Sequence, residues 1–138
     1  MSIIVKKYGG TSVSTVAKIK NIAKNIILEH KKGKKIVVVL SAMGTSTDEL
    51  VNLSKKVTKT PNPRDYDLLL STGEQVSVSL LSMILNDLGA SAISFTGWQA
   101  GIETDCTHTK ARISRVSTKG LRVHLKKDKL LLWLVFKE

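Results

Sequence analysis

The sequence predicts an α/β fold with a mainly parallel sheet, and three features of the chain support that prediction. Short apolar segments suited to buried strands occur at residues 3–5, 36–40 and 92–95. A loop rich in glycine, serine or threonine follows each segment, and helical spacing of apolar residues follows the first two loops. Such alternation is typical of parallel sheets covered by helices. In these folds the loops after the strands meet at one edge, where ligands bind.

The first half of the chain contains two predicted helices and one central strand. Apolar residues three and four positions apart between residues 13 and 27 predict the first helix, with Ser12 and Ser14 as candidate N-caps and Gly33 at its end. The strand at 36–40 is apolar throughout, which is typical of a parallel strand covered on both faces. A loop of small residues follows at 41–47, and a second helix opens with the next three residues.

The middle of the chain contains a loop, a helix and a third strand. Two prolines mark an intradomain loop at residues 60–63. Apolar residues at helical spacing from Val76 predict a helix that Gly89 ends at its C′ position. Gly73 and Glu74 then lie at the entrance of this helix. The strand at 92–95 follows, and a small-residue turn comes after it.

The composition is that of an ordinary soluble globular domain. The 138 residues are 42% hydrophobic and 24% charged, enough for one domain with a real core. No apolar run reaches the roughly 20 residues that span a bilayer, and the start of the chain is too quickly polar for a secretory signal. The single cysteine, Cys106, excludes an internal disulfide framework and fits a reducing cytoplasm.

The net charge of +11 raises the question of nucleic-acid binding. Basic residues are dense only at 31–35, and no aromatic residues are interleaved with them to stack on bases. A solvated lysine-rich surface is therefore favoured, with a polyanion-binding patch as the alternative. His30, His108 and His124 have no metal-ligand spacing with Cys106, so we expect no metal site made of them.

Residues 7–12, Lys-Tyr-Gly-Gly-Thr-Ser, form a strand-to-helix turn with candidate chemistry. Two glycines let the backbone approach a ligand, and the N–H groups at a helix start favour phosphate oxygens. Lys7 could neutralise charge on a phosphoryl group in transfer. The alternative is a simple tight turn, since the segment matches neither the P-loop nor the dinucleotide-binding fingerprint.

Two further segments are ambiguous by themselves. The hydroxyl and N–H groups of residues 41–47 could hold a carboxylate or a phosphate, although serine and threonine in loops usually make turns and caps. Glu74 could hold the ammonium group of an amino acid by a charge-assisted hydrogen bond. A carboxylate at a helix entrance can equally cap the helix or complement its dipole.

Together these segments resemble the aspartate kinases, within the amino acid kinase family. Four segments in the family's order carry the resemblance: Lys-Tyr-Gly-Gly-Thr-Ser-Val at 7–13, Val-Val-Leu-Ser-Ala-Met-Gly at 38–44 with Thr-Asp-Glu-Leu at 47–50, Leu-Ser-Thr-Gly-Glu-Gln-Val-Ser at 70–77, and Phe-Thr-Gly-Trp-Gln-Ala-Gly-Ile at 95–102. Members that phosphorylate glutamate, acetylglutamate, carbamate or UMP share the opening turn but not the segments at 73–75 and 97–101. The resemblance implies a three-layer αβα, carbamate kinase-like fold, truncated in this chain.

The resemblance also implies roles in ATP binding and phosphoryl transfer. Lys7 would stabilise the transferring phosphoryl group. Tyr8, Gly9 and Gly10 would approach the phosphates of ATP, which binds with Mg²⁺. Ser41 would lie near the phosphoryl path.

Two residues would hold the second substrate, L-aspartate. These are Thr47 and Glu74, the latter through the amino group of aspartate. The reaction implied is attack of the aspartate β-carboxylate on the γ-phosphate of ATP, giving 4-phospho-L-aspartate. This is the first step of lysine, threonine and methionine synthesis, expected here in a cytoplasmic homo-oligomer that contacts neither nucleic acid nor membrane.

Family members continue well past this length, through a Gly-Arg-Gly-Gly-Ser-Asp segment, most of the adenine pocket and regulatory ACT domains. We therefore expect residues 1–129 to be the amino-terminal, aspartate-side part of the kinase domain, too short to catalyse the reaction alone. The alternative to an enzyme is an inactive fragment that binds only anions or another copy of itself.

Residues 130–138 depart from the family, which typically has Ile-Val-Val-Val-Ala-Gly-Phe-Gln-Gly there. For one set of codons, a one-base slip after Asp128 accounts for the difference, so we predict a frameshifted tail. A natural divergent terminus is the alternative, and leucine codons incompatible with the slip would exclude the frameshift. The tail is still apolar, so residues 130–136 could fill the place of the family's strand. We also expect one exposed sheet face or edge, which promotes self-association.

Overall fold

The computed structural model describes residues 3–134 of the chain. Its elements in order are β1 (Ile3–Tyr8), a 3₁₀ turn (Gly10–Val13), α1 (Val16–His30), β2 (Lys35–Leu40), α2 (Ser46–Val57), α3 (Pro63–Asp87), β3 (Ala92–Phe95), β4 (Ile102–Thr104), β5 (Ile113–Val116), α4 (Lys119–Lys126) and β6 (Leu130–Leu134). One sheet has the order β1-β2-β6-β3 with all neighbours parallel. β4 and β5 form a separate antiparallel hairpin. The predicted α/β fold with a mainly parallel sheet is confirmed.

Helices cover both faces of the parallel sheet, which gives the three layers expected for the fold. α1 and α3 pack on one face, against a core whose strand residues are Ile36, Val38, Leu40, Leu130, Leu132 and Leu134. α4 packs on the opposite face, where Leu121 and Leu125 join Val37 and Leu131 in a second core. The two central strands, β2 and β6, are therefore covered on both sides, as parallel strands usually are.

β6 is a central strand made from the atypical tail. It lies between β2 and β3, and its four leucines are at most 1% exposed. Leucine is not a strong strand former, so burial on both faces decides the conformation here. The expectation that the tail fills a strand position is confirmed for residues 130–134, whereas residues 135 and 136 lie outside the described residues. The frameshift itself stays a prediction.

The start of α1 differs from the sequence prediction. Its N-cap is Thr15, whose hydroxyl accepts a hydrogen bond from the Lys18 N–H at 3.3 Å. Ser12 and Ser14 are therefore wrong as N-caps, because the preceding residues form a 3₁₀ turn before the α-helix begins. Gly33, at φ +79°, follows the helix end as predicted.

α3 is longer than the sequence predicted, and this changes the position of Glu74. The helix begins at Pro63, with the Asn62 side chain accepting from the Arg64 N–H at 3.0 Å. Proline is well suited to a first helical position, where its missing N–H has no partner to lose. Glu74 consequently lies in the middle of a helix, and its predicted place at a helix entrance is wrong. Gly89 ends α3 as predicted, at φ +83°.

α3 is also long and apolar enough to cross a membrane, judged by length and composition alone. In this fold it packs against α1, α2, β3 and β6. Its small and polar residues Ser71, Gly73, Glu74 and Ser77 are buried in those contacts. We therefore interpret α3 as a core helix of the α/β domain.

β1 forms one edge of the sheet and leaves apolar side chains uncovered. Val5 is 64% exposed and Ile3 is 49% exposed. Both are paired in register with β2 residues, and their side chains are on the sheet face where α4 packs against β2 and β6. The expected exposed sheet face is confirmed at this edge, and the self-association that it would promote stays a prediction.

Candidate active site

Two of the predicted site segments meet at the carboxyl ends of β1 and β2. The Ser41 N–H donates to the Tyr8 carbonyl at 3.1 Å, which continues the parallel pairing by one step. The Gly44 N–H then donates to the Gly10 carbonyl at 3.0 Å. The opening turn and the loop after β2 therefore lie side by side, as parallel topology requires.

The two glycines of the opening turn have different surroundings. A Cβ at Gly10 would lie 2.9 Å from the Ala42 carbonyl oxygen and 3.3 Å from that of Gly44. A Cβ at Gly9 would meet no atom within 4 Å. Gly10 thus allows the two loops to pack closely, whereas the backbone at Gly9 is open to a ligand.

α3 contacts the same loop through small residues. The Ser77 hydroxyl donates to the Ser41 carbonyl at 2.8 Å and also to the Glu74 carbonyl at 2.9 Å. A Cβ at Gly73 would lie 3.2 Å from the Ala42 Cβ, so helix and loop approach closely here. Glu74 is only 4% exposed. A buried carboxylate therefore lies on the helix segment that packs under the β2 loop.

Lys7 and Thr47 flank this meeting point. Lys7 is exposed near the end of β1, paired in register with Val39, and its side chain is on the sheet face opposite Tyr8. Thr47 is half-buried in the first turn of α2, one residue after the helix begins, and not in a loop as predicted. A groove of about 270 Å³ between α2 and α3 is lined by Ser46, Glu49, Leu50, Leu53, Thr72, Gly73 and Val76. Tyr8 and Gly10 are thus hydrogen-bonded to the β2 loop, and the Ser41 carbonyl of that loop is hydrogen-bonded to α3 close to Glu74. Lys7 and Thr47 are near these residues in sequence.

The ion pairs with shifted pKa values lie outside this meeting point. Lys6 donates a hydrogen bond to Glu29 of α1, which lowers the pKa of the Glu29 carboxyl and raises that of Lys6. Lys35 donates to Asp128 at 2.7 Å, which lowers the pKa of Asp128. The first pair joins β1 to α1, and the second joins the starts of β2 and β6. Both pairs therefore connect elements of the fold and are not part of the candidate site.

Sequence reasoning missed the β4–β5 hairpin and its contact with α3. The His108 Nδ1 lies 3.2 Å from Asp67 Oδ2, and the Thr109 N–H donates to the same oxygen at 2.8 Å. All four residues of β5 are exposed, so the strand lacks the alternation of buried apolar and exposed polar residues by which strands are predicted. The aspartate and threonine residues around the tip were the available signal for a turn.

No metal-binding cluster of three or more His, Cys, Asp or Glu residues occurs within residues 3–134. Cys106 is exposed near the tip of the hairpin. His30 and His108 each lie beside an aspartate, Asp128 and Asp67 respectively, in separate parts of the fold.

Comparison with known sequences identifies several aspartokinases as relatives of this chain. The sequence model described as the amino acid kinase family matches residues 2–133. Aspartokinase 2 of Bacillus subtilis is 52% identical over 132 residues, which cover 96% of this chain and 32% of that protein. The aspartokinase of Geobacillus stearothermophilus is 52% identical over 122 residues, 88% of this chain and 30% of that protein. This chain thus spans about a third of the length of the curated relatives that it matches.

Solved structures agree with these sequence matches. The crystal structure of aspartate kinase from Synechocystis matches with a TM-score of 0.76 at 43% identity, covering 95% of this chain and 21% of that one. E. coli aspartokinase III in complex with aspartate and ADP matches with a TM-score of 0.81 over 98% of this chain and 41% of that one. Its identity is 19%, so this second match concerns the fold alone.

Proposed function

Because the chain belongs to the amino acid kinase family, we propose that it forms the aspartate-binding side of an aspartate kinase. The reaction is transfer of the γ-phosphoryl group of ATP to the β-carboxylate of L-aspartate, giving 4-phospho-L-aspartate and ADP. The observation that carries the proposal is the meeting of three segments, the opening turn, the β2 loop and the middle of α3. Relatives named aspartokinase, 52% identical to this chain over 132 and 122 residues, support the choice of acceptor.

Glu74 and Thr47 are proposed to hold L-aspartate. Glu74 is buried, and a charge-assisted hydrogen bond from the substrate ammonium group is stronger where water is excluded. Thr47 lies in the first turn of α2, where backbone N–H groups have no helical partner and favour a carboxylate. Glu74 thus suits the ammonium group of the amino acid, and the N–H groups beside Thr47 suit its α-carboxylate.

Lys7 and the opening turn are proposed to act on the phosphoryl group. The exposed ammonium group of Lys7 neutralises negative charge that develops during transfer. The open backbone at Gly9 suits a phosphate, while Gly10, Tyr8 and Ser41 hold the turn against the β2 loop. Positioning and charge neutralisation supply most of the catalysis in such reactions.

ATP and Mg²⁺ are proposed as the cofactors. ATP supplies the phosphoryl group, and its phosphates fit the open turn at Gly9. Mg²⁺ is proposed to bind together with ATP, as the resemblance to the aspartate kinases implies. The place of the reaction at the start of lysine, threonine and methionine synthesis, in a cytoplasmic homo-oligomer, belongs to the same proposal.

The test is ATP-dependent formation of aspartyl phosphate by the purified chain, trapped with hydroxylamine. Lys7→Ala is compared with Lys20→Ala, which removes an exposed lysine from α1. Product that is lost in the first variant and kept in the second supports the proposal, including activity of this chain. Absence of product in a folded chain that binds L-aspartate identifies the inactive-fragment alternative. A folded chain that neither forms product nor binds L-aspartate contradicts the proposal.

A further inference from the structure

The β4–β5 hairpin crosses the carboxyl edge of the parallel sheet from one layer to the other. Its base lies on the α4 side, where Ala100 is 2% exposed in the core with Leu121. The Ser117 N–H closes the base by donating to the Gly101 carbonyl at 2.7 Å. Its tip contacts Asp67 of α3, which packs on the opposite face of the sheet.

α3 provides the anchor for the tip because it extends beyond the sheet edge. Gly73 packs against Ala42, after the end of β2, whereas Asn86 is hydrogen-bonded to Ala92 at the start of β3. The helix therefore runs antiparallel to the strands, and its first turns project outward. Asp67 precedes Gly73 by six residues, which places it about 9 Å farther out at 1.5 Å per residue.

Asp67 binds the tip through one carboxylate oxygen. Its Oδ2 accepts from the Thr109 N–H at 2.8 Å and lies 3.2 Å from His108 Nδ1. Thr109 has a φ of +64°, a conformation that a β-branched residue adopts only when its surroundings impose it. The Asp105 carboxylate accepts from the Thr107 N–H at 3.0 Å and shapes the same loop. The tip is thus held in one strained conformation against α3.

Asp67 and Glu74 lie on the same side of α3. They are seven residues apart, close to two helical turns, so their side chains project from one face about 10 Å apart along the axis. The hairpin tip therefore lies over the helix face that carries Glu74.

We propose that Asp67 is a positioning residue, which fastens the hairpin of residues 102–116 across the sheet edge so that it closes one side of the aspartate site. This rests on the proposed function, because the ligand enclosed is the L-aspartate held by Glu74. A fixed hairpin excludes water from that ligand and strengthens its charged hydrogen bonds. Without Asp67 the hairpin pivots at its base near Gly101, and the site is open on that side.

The test combines hairpin mobility with aspartate affinity. Cys106 is the chain's single cysteine and is exposed near the tip, so a fluorophore attached there reports hairpin motion by anisotropy. Asp67→Ala is compared with Asp65→Ala, which removes an exposed carboxylate from the same turn of α3, beside Arg64. Aspartate binding is measured on unlabelled protein, by titration calorimetry.

We expect Asp67→Ala to lower the anisotropy and to weaken aspartate binding about tenfold, the effect of one hydrogen bond to a charged group. Asp65→Ala should change neither quantity. Asp67→Asn keeps an oxygen for the Thr109 N–H and should give intermediate values, and it carries the same test if the alanine variant does not fold.

Three results would overturn the inference. Unchanged anisotropy in the Asp67 variants would mean that the carboxylate does not fasten the tip. Lower anisotropy with unchanged affinity would mean that the hairpin does not enclose the ligand. A wild-type chain that binds no L-aspartate would contradict the proposed function first, and the inference with it.

Discussion

Replacing Gly10 by alanine tests the close approach of the two loops on which the candidate site depends. The new Cβ would lie 2.9 Å from the Ala42 carbonyl oxygen and 3.3 Å from that of Gly44, both tighter than ordinary contact. Both are backbone atoms, so no side-chain rotation relieves the overlap. Gly9→Ala is the matched control, because its Cβ meets no atom within 4 Å and its φ of −78° suits any residue.

The expected effect is a loss of about 2 kcal/mol in the free energy of unfolding. Overpacking of a well-packed site costs roughly 1–3 kcal/mol, and the 3.0 Å hydrogen bond from Gly44 to Gly10, worth about 1 kcal/mol net, is weakened when the loops separate. Gly9→Ala should stay within about 0.5 kcal/mol of the wild-type chain. Urea unfolding followed by circular dichroism measures both, and aspartate binding is measured in the same preparations.

We expect Gly10→Ala to lose aspartate affinity under conditions where it is still folded, since Ser41 and the Glu74 segment are joined to the turn through this loop. Equal stability and equal affinity of the two alanine variants would refute the reasoning. The opening turn and the β2 loop would then not be in contact as described.

Three further predictions concern the fold. Leu132→Ala, at a fully buried position of β6, should lower the free energy of unfolding by about 2–5 kcal/mol, and unchanged urea unfolding would exclude β6 as a core strand. The hydrogen bond from Lys6 lowers the pKa of Glu29, so the pair stabilises the fold fully above the ordinary pKa of 4.5 and less as the pH falls through the lowered pKa. Glu29→Gln should therefore reduce the fall in melting temperature over this acidic range. Parallel plots of melting temperature against pH for the variant and the wild-type chain would contradict this. Val5→Ser should reduce self-association in sedimentation, whereas Val57→Ser, at an exposed position of α2, should not; equal effects would argue against the β1 edge.

Strands β1, β2 and β3 could be predicted from the sequence, because each contains a short apolar run with a distinct loop after it. The start of α3 could not, because Pro63 is equally suited to a loop and to a first helical position. The buried face of that helix contains the polar residues Ser71, Glu74 and Ser77, so the first half of α3 lacks the helical spacing of apolar residues that would predict it. Tertiary packing, which periodicity does not record, decides both points.

The meeting of the opening turn with the β2 loop could be predicted from parallel topology alone, and it is observed. The hairpin contact could not, since Asp67 and Thr109 are far apart in sequence and the hairpin strands are largely exposed. A contact of that kind depends on how far α3 projects beyond the sheet. The roles of Lys7 and Thr47 stay proposals, because they depend on bound substrate.

The most direct measurement of the central claim is a two-dimensional NMR titration of the isotope-labelled chain with L-aspartate. The account predicts saturable shifts of backbone amides in three segments, residues 9–11, 41–47 and 73–77, with Glu74→Gln abolishing them. It would be contradicted by the absence of shifts at millimolar L-aspartate in a folded chain. Shifts confined to the dense basic run at residues 31–35 would also contradict it, because they would indicate a general anion surface.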